Sequence, residues 1–258
     1  MIKLNGTVVN INHFPDGTLL MKSKGIANPI IQWNFESNEE LVALIFLTRH
    51  LNSLGVKDIT LFMPYIPNAR QDRVKTDEDV FTLKYFAEII NNLNFKAVYV
   101  LDPHSAVSEA LIENISIVTP DELIIQTAED CKPDILFYPD EGAMKRYSVT
   151  IPKEYAFGIK KRDWQSGKIE GLDVCGNIEK IKGKNVLIID DICSRGGTFY
   201  HSAKKLNELG ANKIYLYITH CENTIFEGEL LKGDLIDKIY TTNSILTKNH
   251  EKIEVFEI

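Results

Sequence analysis

Val186-Leu187-Ile188-Ile189-Asp190-Asp191-Ile192-Cys193-Ser194-Arg195-Gly196-Gly197-Thr198-Phe199 is the stretch whose reading decides the fold. It opens with four β-favouring apolar residues in a row. Such a run suits a strand covered on both faces, as in a parallel α/β sheet. Two carboxylates end the run, and a short Ser/Gly/Thr loop follows. A helical pattern then places Phe199, Ala203, Leu206 and Leu209 on one face. Strand, acidic pair, glycine loop and helix together make the ligand end of a parallel strand.

The chemistry of the loop follows from its residues. Gly196 and Gly197 let backbone N–H groups turn inward with no Cβ in the way. Thr198 sits where the helix begins, so its hydroxyl and the free amides of the first turn form an anion cradle aided by the helix dipole. A phosphate suits that cradle. Asp190 and Asp191 cannot bind phosphate as well, which leaves them hydrogen bonds to sugar hydroxyls or an ion-mediated contact. The site expected is one for a phosphorylated sugar. The competing reading is a strand that ends in a solvated Asp-Asp turn.

The chain has 258 residues, enough for one large domain or two smaller ones. A net charge of −7 argues against nucleic acid or an anionic membrane as partner, so an anionic substrate needs locally placed cations. There is no signal-peptide pattern and no bilayer-spanning apolar run. Cys131, Cys175, Cys193 and Cys221 lack metal-type spacing, so reduced thiols in a cytoplasmic protein are expected.

Residues 1–35 are expected to form short β segments with turns at Asn5-Gly6 and Pro15-Asp16-Gly17, ending in a strand at Ile30–Trp33. Ser37 and Glu40 have the spacing of a capping box. Behind it Leu41, Leu44, Ile45, Leu47, Leu51 and Leu54 supply the apolar positions of a helix that Gly55 ends. Strands at 59–63 and 97–101 flank a helix at 79–93. Asn52-Ser53-Leu54-Gly55, followed by Ile59-Thr60-Leu61, is echoed by Asn207-Glu208-Leu209-Gly210 and Ile214-Tyr215-Leu216. Two halves of related α/β topology are expected, split near Pro120. The first half carries Trp33-Asn34-Phe35 where the second carries its acidic pair, so the sugar-phosphate loop belongs to the second half alone.

Pro64-Tyr65-Ile66-Pro67-Asn68-Ala69-Arg70-Gln71-Asp72-Arg73 follows a strand. Arg70 and Arg73 could clamp phosphates through their forked donors, and Gln71 could meet a base edge. The alternative is a solvated loop whose Arg-Asp pairs are structural.

These motifs resemble, in order along the chain, those of the ribose-phosphate pyrophosphokinases (PRPP synthetases), a family with the type I phosphoribosyltransferase fold. The 186–199 stretch resembles the PRPP motif of that fold, and the Arg-Gln-Asp-Arg loop resembles the ATP-binding signature that separates pyrophosphokinases from phosphoribosyltransferases. The likeness covers residues 14–245. It implies an α/β protein of two tandem phosphoribosyltransferase-like domains, each a mainly parallel sheet flanked by helices. Residues 1–120 would carry the ATP-binding loops and residues 121–258 the ribose-phosphate loop. By resemblance Phe14 and Asp16 contact adenine across a subunit interface, which implies a homo-oligomer, at least a dimer. Thr18 stands where the family has Glu. Arg70, Gln71 and Arg73 bind ATP. His104, in Asp102-Pro103-His104-Ser105, and Asp140, in Tyr138-Pro139-Asp140-Glu141-Gly142, are associated with Mg²⁺. Lys160 and Arg162 match the lysine and arginine of a flexible catalytic loop, with Lys161 a competing assignment. Asp190 and Asp191 hold the ribose, and Ser194, Arg195, Gly196, Gly197 and Thr198 hold its 5-phosphate.

The implied reaction transfers diphosphate from Mg-ATP to the anomeric hydroxyl of ribose 5-phosphate, giving PRPP and AMP for nucleotide biosynthesis. The chain is short for the family, so the elements that build higher oligomers and an allosteric site are in question. Cys193-Ser194-Arg195 replaces the usual acid-containing sequence. A cation beside the cradle favours a bulkier or more charged 5′ group such as a diphosphate; the alternative is that Arg195 points into solvent. Three other functions stay open: the same chemistry on ADP-ribose in NAD salvage, a PRPP-consuming phosphoribosyltransferase, and a non-catalytic synthetase-associated protein.

Overall fold

The computed structural model describes residues 1–162 and 169–258, without the side chains of 160–162 and 169–172. The chain divides into two compact units, Met1–Thr119 and Pro120–Ile258.

In the first unit β1 (Ile2–Leu4) and β2 (Thr7–Val8) form a hairpin, as do β3 (Ile11–His13) and β4 (Leu19–Met21). Gly6 and Gly17 turn these hairpins at φ of +79° and +83°, as the Asn5-Gly6 and Asp16-Gly17 pairs led us to expect. β5 (Ile30–Trp33), α1 (Glu39–Ser53), β6 (Thr60–Phe62), α2 (Thr82–Asn91), β7 (Ala97–Leu101), α3 (Val107–Leu111) and β8 (Ile115–Val118) follow. The sheet runs β2-β1-β5-β6-β7-β8, with β5 to β8 parallel and β1 antiparallel to β5.

In the second unit come α4 (Asp121–Cys131), β9 (Ile135–Tyr138), α5 (Glu141–Tyr147), β10 (Tyr155–Arg162) and β11 (Ile169–Gly176). β12 (Asn185–Cys193), α6 (Gly197–Glu208), β13 (Lys213–Cys221), β14 (Lys238–Thr242) and β15 (Ile253–Phe256) complete it. The sheet order is β11-β10-β9-β12-β13-β14-β15, parallel except for the β10–β11 hairpin. β12 is central, and its apolar run serves both faces. Val186 and Ile188 pack with Phe199, Ala203 and Leu206 of α6. Leu187 and Ile189 pack with Ile124, Tyr138, Tyr147 and Tyr217 on the opposite side. All four β12 side chains are fully buried, worth about 1.5–3 kcal/mol each in transfer from water.

The helix-end echo is structural. Gly55 (φ +83°) and Gly210 (φ +81°) stop α1 and α6 in the left-handed conformation. Val56 then donates back to the Leu51 carbonyl, and Ala211 to that of Leu206, at 3.2 and 3.0 Å. The units β5–α1–β6 and β12–α6–β13 share this geometry and a parallel strand pair. They differ on the other flank, where β5 meets antiparallel β1 and β12 meets parallel β9.

Three local expectations are corrected. The Ser37–Glu40 capping box does not form: the N-cap position falls to Asn38, without a side-chain cap bond. The Glu40 carboxylate instead accepts the Trp33 indole N–H at 3.0 Å and the Glu36 amide at 2.8 Å, because the buried indole needs an acceptor. Leu54 is half exposed rather than part of the core, as it lies past the last helical turn. α2 begins at Thr82 rather than 79, since Asp79 spends its carboxylate on the amides of Lys75 and Thr76, both at 2.8 Å.

Replacing Glu40 with Ala leaves the Trp33 N–H buried without this acceptor. We expect Glu40→Ala to cost about 1–3 kcal/mol, read as a lowered urea midpoint by Trp33 fluorescence in a Trp164→Phe background.

Candidate functional site

In the second unit the strand carries further than the apolar run indicated. β12 continues through Cys193, so Asp190 and Asp191 lie on it rather than in the turn that follows. Successive strand residues face opposite sides of a sheet. Asp191 continues the Leu187–Ile189 side, where it is 6% exposed and accepts Arg146 Nη1 from the last turn of α5 at 3.1 Å. Asp190 turns one carboxylate oxygen back onto the Asp191 amide, at 3.0 Å. The two acids therefore hold different stations, one braced from below by an arginine and one fixed against the backbone.

Beyond Cys193 the chain turns through Ser194, Arg195 and Gly196 into α6. Gly196 is the N-cap, left-handed at φ +78°, and it offers no side chain to cap the helix. No acidic residue stands in the first turn. The early amides of α6, with the half-buried Thr198, thus face their end of the helix without a capping side chain, which is the condition for holding an anion. The loop is backed by the segment after β13, a feature that no sequence motif marked. A Cβ at Gly228 would lie 1.9 Å from the Arg195 carbonyl oxygen, and a Cβ at Gly196 would lie 2.9 Å from Leu230 Cδ2. Only glycine fits at either point, and each glycine is pressed by the other's segment. Arg195 is exposed and donates from Nε and Nη2 to Glu227 Oε2 at 3.2 and 2.9 Å. Its charge is partnered on this outer segment, and the ion pair gives no support to the expectation of an extra cation for a larger 5′ group.

Cys193 and Cys221 sit side by side on β12 and β13, both buried and both free thiols. Its hydrogen bond with Cys221, together with burial, pushes the Cys193 thiol well above its ordinary range. Asp140 caps α5, accepting the Ala143 amide at 3.0 Å. Lys160, Lys161 and Arg162 lie on β10, paired with β11 across a bulge at 161–162, where a loop was expected. Their side chains lie outside the described residues.

In the first unit β6 and β7 are parallel neighbours, and both motif loops leave their carboxyl ends. The loop after β6 is anchored by buried Ile66 and Ala69 and leaves Arg70, Gln71 and Arg73 exposed. Asp72 turns inward. Its carboxylate accepts Arg73 Nε at 2.6 Å and Nη2 at 2.8 Å, and the Ser105 hydroxyl at 2.6 Å. The Arg73 hydrogen bonds hold Asp72 well below the usual carboxylate range. His104 is exposed on the loop after β7, next to Ser105. Phe14 is half exposed at the β3–β4 turn. Asp16 closes that turn itself by accepting the Thr18 amide at 3.0 Å and its hydroxyl at 2.7 Å, so Thr18 has a local job here.

No group of three His, Cys, Asp or Glu able to hold a metal occurs among the described residues.

Comparison with known proteins follows the same lines. A family model for the phosphoribosyl synthetase-associated domain matches residues 165–258. The chain is 29% identical to a ribose-phosphate pyrophosphokinase of Thermococcus kodakarensis, covering 93% of this chain and 86% of that one. It is also 29% identical to that of Pyrococcus abyssi, covering 96% and 88%. The crystal structure of phosphoribosylpyrophosphate synthetase from Mycobacterium smegmatis superposes with a TM-score of 0.81 over 97% of this chain and 86% of that chain, at 17% identity. The fold is that of two units with mainly parallel sheets, as in that synthetase. In sequence the chain is similar to the ribose-phosphate pyrophosphokinases over most of its length.

Gly228 carries the backing of the Ser194–Thr198 loop. Gly228→Ala should lower the urea midpoint by the equivalent of about 1–3 kcal/mol, followed by circular dichroism. Gly233→Ala, whose Cβ would meet open space, should change it by less than about 0.5 kcal/mol.

Proposed function

We propose that the chain is a pyrophosphokinase that moves the β,γ-diphosphate of Mg-ATP to the anomeric hydroxyl of ribose 5-phosphate, giving PRPP and AMP. The observation that carries this is the loop from Ser194 to Thr198: a helix N-terminus without a capping side chain or first-turn acid, directly after a strand bearing Asp190 and Asp191. The names of the relatives supply the reaction class.

The amides at Gly196, Gly197 and Thr198, with the hydroxyls of Ser194 and Thr198, receive the 5-phosphate. Asp190 and Asp191 accept hydrogen bonds from ribose hydroxyls, with Arg146 keeping Asp191 in place. Arg70, Gln71 and Arg73 take the triphosphate and base of ATP, with Phe14 and Asp16 of a second copy at the adenine. The anomeric oxygen attacks the β-phosphorus, the bond between the α,β-bridging oxygen and that phosphorus breaks, and the hydroxyl proton leaves to solvent. AMP departs with the bridging oxygen. Such a transfer relies on positioning and neutralisation more than on covalent help. Lys160 and Arg162 are placed by resemblance to stabilise the moving group. Mg²⁺ belongs to the nucleotide substrate and neutralises its phosphates, with His104 and Asp140 as its protein ligands by the same resemblance.

Arg195 is tied to Glu227 through Nε and Nη2, so it does not stand as an added free cation that would argue for a second phosphate, and ribose 5-phosphate stays the acceptor of this reading. The homo-oligomer and a place in nucleotide biosynthesis are part of the same reading.

AMP release from Mg-ATP, measured with ribose 5-phosphate, with ADP-ribose and with no acceptor, tests the proposal. Release with ribose 5-phosphate and a new anomeric diphosphate by phosphorus NMR is expected. Turnover with ADP-ribose alone would overturn the acceptor, and no AMP with either would overturn the pyrophosphokinase and leave a non-catalytic partner or a PRPP-consuming transferase.

A further inference from the structure

Asp72 is the acid inside the Arg70–Arg73 segment, and nothing in the reaction above uses it. We propose that Asp72 is a positioning residue that locks the arginine loop to the His104 loop and fixes which edge of Arg73 meets the nucleotide. The inference rests on the reading that this loop binds ATP.

A guanidinium has two forked edges, one through Nε and Nη2 and one through Nη1 and Nη2. Asp72 occupies the first, at 2.6 and 2.8 Å, which leaves the second for a phosphate. The same carboxylate takes the Ser105 hydroxyl at 2.6 Å, and Ser105 Oγ in turn accepts the Val107 amide at 3.2 Å. Asp72 and Ser105 are thus the knot between two loops that leave neighbouring parallel strands at the same sheet edge. The carboxyl side chain is 12% exposed, whereas Arg73 is 64% exposed. A held base carries an otherwise free arm.

The charge balance says the same. A carboxylate beside Arg73 cancels the charge an anionic substrate would seek, so a loop selected for attraction alone would do better without Asp72. Its contribution is orientation. An unheld arginine surrenders about 2 kcal/mol of rotamer entropy when a phosphate immobilises it, and Asp72 removes part of that loss beforehand.

The experiment uses the full chain. Calorimetry gives the Kd for a non-hydrolysable Mg-ATP analogue, and AMP release gives KM and kcat. With Asp72→Asn, Kd and the KM for Mg-ATP should rise about tenfold (1.4 kcal/mol). The KM for ribose 5-phosphate and kcat should stay within about twofold. Asp72→Glu should recover part of the loss. Ser105→Ala should raise the nucleotide KM about threefold, and Asp72→Asn/Ser105→Ala should be no worse than Asp72→Asn alone. Unchanged nucleotide affinity in Asp72→Asn overturns the inference. So does a parallel rise of both KM values together with a fall in melting temperature, the mark of a merely structural residue. Should Asp72→Asn not fold, Ser105→Ala decides: an unchanged nucleotide KM overturns the proposal and a rise supports it. A wild-type chain that binds no Mg-ATP analogue takes down the ATP reading and this inference together, whereas binding by wild type with an indifferent Asp72→Asn takes down the inference alone.

Discussion

β12 has no solvent side, and the rest of the second unit depends on that. Both faces of Val186–Ile189 are covered, one by α6 and the other by the Tyr-rich layer around α4 and α5. The strand cannot slip by one residue without exchanging two full sets of packed side chains. Its end is therefore a fixed point. Asp190, Asp191 and the loop to α6 inherit their positions from the core rather than from one another. For the phosphate role proposed for this loop such precision counts, because amides on a mobile turn lose conformational freedom at each binding event.

The chain is acidic overall, with a formal net charge of −7, so an anionic substrate of the kind proposed depends on local arrangement of charge. Where the structure describes a cation near a motif it is nearly always tied: Arg146 to Asp191, Arg195 to Glu227, Arg73 to Asp72. The exposed Arg195–Glu227 pair contributes at most about 1 kcal/mol to stability. What these pairs supply is direction, since a paired guanidinium presents one chosen edge. The buried thiols behind the loop fit the same picture of a quiet support: Cys193 is held protonated by its neighbour and by burial, so it offers little nucleophilic thiolate.

Much of this was legible in the residues. The strand–acid–glycine–helix order at 186–199 is local chemistry, and hydrophobic runs with glycine stops report local backbone requirements directly. The helix-end echo of Gly55 and Gly210 was legible for the same reason. What could not be read was partner choice at a distance. Glu40 has the spacing of a cap, but a buried indole seven residues before it in the chain outbids the helix end. Arg195 looked like an added cation until Glu227, 32 residues further on, took its charge. Gly228 carries no motif at all, and its necessity comes from one carbonyl oxygen across a turn. Asp72 sat in plain view between two arginines, yet its link to Ser105 spans 33 residues.

The two matching strand–helix pairs end with opposite solutions to one electrostatic problem. α1 carries Glu39 and Glu40 in its first turn, and Glu40 accepts the amide of Glu36 just ahead of it. α6 has neither acid nor capping side chain there. One helix thus begins among carboxylates while the other leaves its first amides without one, so an acid introduced into the first turn of α6 would compete with any anion for the same backbone donors.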